Sequence, residues 1–244
     1  MKDYLKLKTD SDDKGYGQFS RTHMLLLGMW ILFIAAYCIV YSHFDVKARN
    51  DMRTAAAITL LVSDVIKMAV IYFTHQDVID HLPCEICSFA AYTIAADAFL
   101  PGNSFIQGLL VAIFLPAAII ALIFPTTTRL PVFNFFTFHQ YFYHALIASY
   151  ILGRFFAREI FITYPGLLKS ILATLCLVSV MYLINRNFNR NFMFLVGDDN
   201  NPLLKKINDR SGGFRYTLVL VGFAIAVLHV FFGVLKLLEL LIRA

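Results

Sequence analysis

Residues 81–97 read H-L-P-C-E-I-C-S-F-A-A-Y-T-I-A-A-D, and they combine two thiols with two acids in an otherwise apolar stretch. Pro83, followed by good helix formers, predicts a helix starting near Pro83. Cys84 and Cys87 then fall in its first two turns, three apart and on one face. The positive end of the helix dipole favours a thiolate there, and the neighbouring Glu85 carboxylate opposes it. A second polar group lies in F-N-F-F-T-F-H-Q-Y-F-Y-H-A-L, residues 133–146, which carries His139, Gln140, Tyr143 and His144. Polar side chains in such a helix are expected to face the interior of a bundle. His139 and His144 are five apart, about 140° around an ideal helix, so they are not expected to share one site. The expected depth of His139 matches that of Cys87, and His144 lies deeper.

Cysteine and histidine together support three chemistries. A thiolate could attack an ester carbonyl while histidine shuttles the proton. C-x-x-C with two histidines could hold zinc, although the second closely spaced pair is missing. The thiols could also form a redox pair, without the βαβ context that usually carries one. Simple packing of both thiols accounts for the same residues. Cys38 and Cys176 lie within apolar runs, and core packing is expected for both.

Other charged groups fall inside apolar runs. Asp64 and Lys67, three apart, predict an intramembrane ion pair, whereas Asp97 needs partners from other helices. Residues 185–206 read N-R-N-F-N-R-N-F-M-F-L-V-G-D-D-N-N-P-L-L-K-K. They are too polar to lie in lipid and too short in their apolar part to cross it, so a loop folding back at the membrane surface is expected. Arg186 and Arg190, four apart if helical, would suit phosphate head groups, and Asn191 stands beside them.

These residues must be positioned by membrane helices. The chain of 244 residues is 59% hydrophobic, against about 45–50% for a soluble domain. Its mean hydropathy is +0.68. Runs at 24–41, 54–73, 105–124, 135–156, 167–184 and 216–241 read as spans, and 84–100 as a shorter, more polar one. The prediction is an all-α bundle of about seven transmembrane helices in a single domain over 23–244, after a polar tail over 1–22. That tail lacks the apolar core and small-residue cleavage site of a signal peptide, so the first span is expected to serve as its own insertion signal. L-P-G-N at 100–103 predicts a tight turn and an antiparallel hairpin. The 24 Phe are expected to face lipid or fill the core.

With seven spans, loop cations divide twelve to eight in favour of the side holding the N-terminus. This predicts a cytoplasmic N-terminus, at the plasma membrane if the source is bacterial. The net charge of +5 fits that asymmetry better than a nucleic-acid surface. The same topology places the start of the cysteine helix, the start of the histidine span and the 185–206 loop on one side.

Three patterns resemble the YwaF-like family of integral membrane proteins, whose eukaryotic branch includes transmembrane protein 164. They are L-P-C-E-I-C at 82–87, F-H-Q-Y-F-Y-H-A-L at 138–146, and N-F-M-F-L at 191–195 followed by Pro202. The resemblance spans most of the chain. It implies a membrane acyltransferase, with Cys84 at the eukaryotic nucleophile position, Cys87 at the bacterial cysteine and His144 at the family histidine. Glu85 departs from the family's histidine, and G-G-F-R-Y at 212–216 replaces a W-P-type motif.

The expectation is therefore acyl transfer on phospholipid acyl chains, without a metal or other cofactor. Cys84 or Cys87 would be the nucleophile and His144 or His139 the acid–base. Glu85, Gln140, Tyr143, Asn191, Arg186 and Arg190 would line the substrate site, and membrane phospholipid would be the partner. The alternative is a non-enzymatic carrier or accessory subunit, suggested by Asp64, Lys67 and Asp97.

Overall fold

The computed structural model describes residues 2–6, 15–198 and 202–243. Part of the expected polar tail, with Lys8 and Lys14, lies outside the described residues. The described residues contain no strand. Eight helices follow in order: α1 Arg21–His43, α2 Val46–Phe73, α3 Ile86–Phe99, α4 Ser104–Ile123, α5 Phe135–Phe156, α6 Tyr164–Phe188, α7 Pro202–Ser211 and α8 Gly213–Arg243.

Local chemistry sets where these helices begin. Ser20 accepts from the His23 N–H, Asp45 from Ala48, Asn103 from Phe105 and Ile106, Asn134 from Phe136, and Thr163 from Gly166. Each side-chain oxygen satisfies a donor that has no intrahelical partner. α4 widens into a π turn over Leu110–Phe114, just before Pro116. Proline lacks the N–H and crowds the carbonyl four residues back, and a widened turn relieves that clash.

Among the described residues, five helices are long and apolar enough to cross a membrane: α1, α2, α4, α6 and α8. The other two of the seven expected spans are different in kind. α5 has 22 residues, enough for a crossing, yet it is the polar, buried column on which α1, α2 and α4 pack. α3 has 14 residues, short of the roughly 20 that a crossing needs. It lies against α2, antiparallel, and the turn at Gly102 (φ 96°) sends the chain back into α4.

The core joins α2, α3, α4, α5 and α6 through residues such as Leu60, Ile94, Leu115, Ile147 and Leu167, all fully buried. α1, α6 and α8 present long exposed apolar faces, as expected of lipid-facing helices. Cys38 is buried, but Cys176 is exposed on α6, which corrects the expectation that it packs in the core.

Candidate functional site

The cysteine helix begins at Ile86, three residues later than Pro83 predicts. Glu85 takes the N-cap position with extended backbone and makes no side-chain cap bond. Cys84 therefore lies outside the helix, and the two thiols do not share a helical face. Cys84 packs with the cluster of Met181, Phe192 and Leu195, whereas Cys87 packs against the main core. Burial, reinforced by the Glu85 carboxylate, raises the Cys84 pKa above its ordinary value, and Lys67 only partly opposes this.

Cys87 lies in the field of the Asp64–Lys67 pair and of Glu85. Asp64 Oδ1 and Lys67 Nζ are 3.4 Å apart, the ion pair that their spacing predicts. Tyr143 donates its hydroxyl to Asp64 Oδ2 at 2.6 Å, and Cys87 is among the groups acting on that phenol. A hydrogen bond to a carboxylate contributes about 1.5–3 kcal/mol and fixes the ring. Tyr143 was legible as a polar residue on a span, but its pairing with Asp64 was not, because the two are 79 residues apart.

The two histidines face different surroundings. His144 is 7% exposed, and its Nδ1 lies 2.6 Å from the Gln140 carbonyl. A carbonyl can only accept, so Nδ1 carries the proton and a neutral ring presents Nε2 as an acceptor. His139 stacks on Tyr143 at 5.2 Å, and its buried Nε2 makes no hydrogen bond to the described residues. Asp64 and Lys67 both act electrostatically on His144 and on Cys87, whereas only Lys67 of the pair acts on His139. The Gln140 side chain donates to the Ala121 carbonyl at 3.3 Å.

The segment after α6 folds back over this end of the bundle. α6 stops at Asn189 in the left-handed conformation. Asn185 then holds Phe192 by two bonds, Nδ2 to the carbonyl at 2.8 Å and the Phe192 N–H to Oδ1 at 2.9 Å. Glu85 Oε2 accepts the Met193 N–H at 2.9 Å. The Asn191 side chain bonds Gly197 and Val196 within the loop, and Thr217 and Tyr216 tie the loop to α8. Arg190 pairs with Asp77 and Asp80, and Arg186 is exposed in the last turn of α6. The helix break at Asn189 removes the shared helical face that a four-residue spacing implied.

Asp97 belongs to a separate network at the other end of the bundle. Tyr150 donates to Asp97 Oδ2 at 2.5 Å, Arg154 pairs with the same oxygen, and Arg53 bonds the Asp97 carbonyl at 2.9 Å. Glu159 joins Arg154 to Arg49 and Tyr41. Between the two polar ends lie Leu60, Ala91, Ile94, Ile147 and Ile151, all without exposure. Among the described residues, no three His, Cys, Asp or Glu side chains are placed to hold a metal ion.

A helical bundle with several membrane-crossing segments, a packed apolar middle and a polar cluster at each end defines a multi-pass membrane protein. Residues 18–234 match the TMEM164 family, and the chain belongs to that family. No curated protein and no solved structure matches the chain.

Proposed function

We propose that the protein transfers acyl chains on phospholipids through a cysteine–histidine site at the start of α3, with Cys87 as nucleophile and His144 as general base. The observation supporting this reading is that the Asp64–Lys67 pair, hydrogen-bonded to Tyr143, acts electrostatically on both Cys87 and His144. The Gln140 carbonyl fixes the His144 tautomer that leaves Nε2 able to accept a proton.

In the first half-reaction the Cys87 sulfur bonds the ester carbonyl carbon, and the thiol proton passes to His144 Nε2. The ester C–O bond then breaks, and His144 returns the proton to the departing glycerol oxygen. In the second half, a lysophospholipid hydroxyl attacks the thioester carbonyl carbon and gives its proton to His144; the C–S bond then breaks, and His144 returns the proton to the departing Cys87 sulfur. Glu85 and Asn191 shape the loop that covers the site. Gln140 orients the base, Arg186 supplies a cation on the head-group side, and Arg190, paired with Asp77 and Asp80, holds the loop. Cys84 is the second nucleophile candidate on the family resemblance, and His139 the second base.

The test is the protein in lipid nanodiscs, given phospholipid and lysophospholipid with distinguishable chains and a thiol-directed acyl probe. Loss of labelling and turnover in Cys87→Ser, with both retained in Cys84→Ser, supports the assignment. The reverse pattern moves the nucleophile to Cys84. Unchanged labelling and turnover in both variants overturns acyl transfer.

A further inference from the structure

Outside the Cys87–His144 cluster, the α2–α5 surface carries a groove of about 390 Å³. Its walls are Ile58, Val62 and Ile66 of α2 and Phe135, Phe138 and Phe142 of α5. Ile58, Val62 and Ile66 repeat every four residues, so they form one stripe along the helix, about 12 Å long at 1.5 Å per residue. These three side chains are 48–49% exposed and Phe138 is 56% exposed, so the groove opens on the side of the bundle. α2 is long and apolar enough to cross a membrane, and the medium facing such a side is lipid. The volume falls in the range of about 300–1,000 Å³ that binds small ligands.

One end of the groove is polar. His139 lines it one turn into α5 together with Thr59 and Ser63 of α2; its Nε2 is buried without a well-formed hydrogen bond among the described residues, and the Ser63 backbone acts on the ring. Phe135, His139 and Ile66 lie toward the end of the bundle that holds the cysteines, and Ile58 and Phe142 lie deeper. A hydrocarbon chain satisfies the apolar walls. An ester carbonyl oxygen at the head of that chain can accept a hydrogen bond from the His139 ring or the neighbouring Thr59 and Ser63 hydroxyls.

We infer that the α2–α5 groove binds one acyl chain of a membrane phospholipid, with its ester end at His139 and its tail toward Ile58. The inference rests on the acyl-transfer reading for its purpose, but binding itself does not require turnover. The occupant is a lipid chain rather than a partner helix because the groove opens among half-exposed apolar side chains on a membrane-crossing helix and also carries His139, which an apolar helix face would leave unsatisfied.

The experiment uses the full chain in nanodiscs containing phosphatidylcholine with a photoreactive diazirine, placed either near the ester or near the chain terminus. Adducts are mapped by mass spectrometry. The ester-proximal probe is expected to mark Phe135, His139 and Ile66, and the terminal probe Ile58 and Phe142. Val62→Trp fills the channel from an exposed position and should reduce groove labelling about fivefold, equivalent to roughly 1 kcal/mol. Leu32→Trp on the exposed face of α1 should leave it unchanged. Labelling spread evenly over α1, α6 and α8, the reverse order of the two probes, or cross-links joining two copies through the groove would each overturn the inference. Groove labelling without acyl transfer would sustain the groove and remove the enzymatic reading, and turnover without groove labelling would do the opposite.

Discussion

The Glu85 carboxylate accepts the Met193 backbone N–H at 2.9 Å, joining segments 108 residues apart. Met193 holds a left-handed conformation at φ 59°, which costs a non-glycine residue about 1–3 kcal/mol. The carboxylate thus anchors a strained loop position over the start of α3, and this gives an acid beside two cysteines a structural reason. Glu85→Ala removes the acceptor, whereas Glu85→Gln keeps one. The alanine variant should therefore speed hydrogen exchange at Met193 and its neighbours by about tenfold or more, corresponding to roughly 1–3 kcal/mol. The glutamine variant should stay close to wild type. Equal protection in all three proteins would show that the bond does not hold the loop.

A second anchor of the same loop depends on pH. Arg190 Nη1 lies 3.3 Å from Asp77 Oδ2 and also pairs with Asp80. The Ile79 backbone N–H, with Arg190 adding to it, lowers the Asp77 pKa below its ordinary 3.8. A lowered folded value means that this contribution is complete above pH 3.8 and is lost as the pH falls through the folded value. Exchange in residues 190–198 should be flat between about pH 8 and pH 5, once corrected for intrinsic rates, and should rise below about pH 4. Because the two acids are half-exposed, about 1 M salt at neutral pH should loosen the loop in wild type but not further in Arg190→Gln.

Much of this arrangement was legible in the sequence, and the rest fails for identifiable reasons. Continuous apolar runs located the crossing helices, because a span needs about 20 predominantly apolar residues in a row. The Asp64–Lys67 pair was legible because a three-residue spacing is local. The start of α3 was misplaced at Pro83 because the following residues are held by contacts with the 190–198 loop, which no local propensity encodes. Arg190 was read as a head-group ligand, but its carboxylate partners lie 113 and 110 residues away. Cys176 shows the limit of apolarity as a burial signal, since a membrane helix exposes apolar residues to lipid as readily as it buries them.

The Asp97 network should contribute to stability more than to the reaction, because fully buried apolar residues separate it from Cys87. Asp97 is 0% exposed and faces two arginines. Asp97→Asn leaves those cations without their buried counter-charge, at a cost of about 3–5 kcal/mol. Tyr150→Phe removes one charge-assisted bond, at about 1.5–3 kcal/mol. Thermal melts in detergent should rank Asp97→Asn below Tyr150→Phe and both below wild type. Labelling of Cys87 by the acyl probe, measured well below the melting transitions, should be preserved in both.

Glycines distinguish the helix faces that meet protein from those that meet lipid. A Cβ on Gly153 would lie 3.3 Å from the rings of Tyr37 and Tyr41, which stack with 6.1 Å between centroids. A Cβ on Gly108 would lie 3.2 Å from Ser170 Oγ, where α4 crosses α6. Small residues at such crossings let helix backbones approach closely. Gly28 and Gly222 have nothing within 4 Å of a built Cβ and lie on α1 and α8. Gly153→Leu and Gly108→Leu should each lower stability by about 1–3 kcal/mol through overpacking, read as a fall in melting temperature and in monodisperse yield. Gly28→Leu and Gly222→Leu should match or exceed wild type, since each adds helix propensity without a steric conflict. Equal losses at all four positions would mean that the open faces of α1 and α8 are covered by protein rather than lipid.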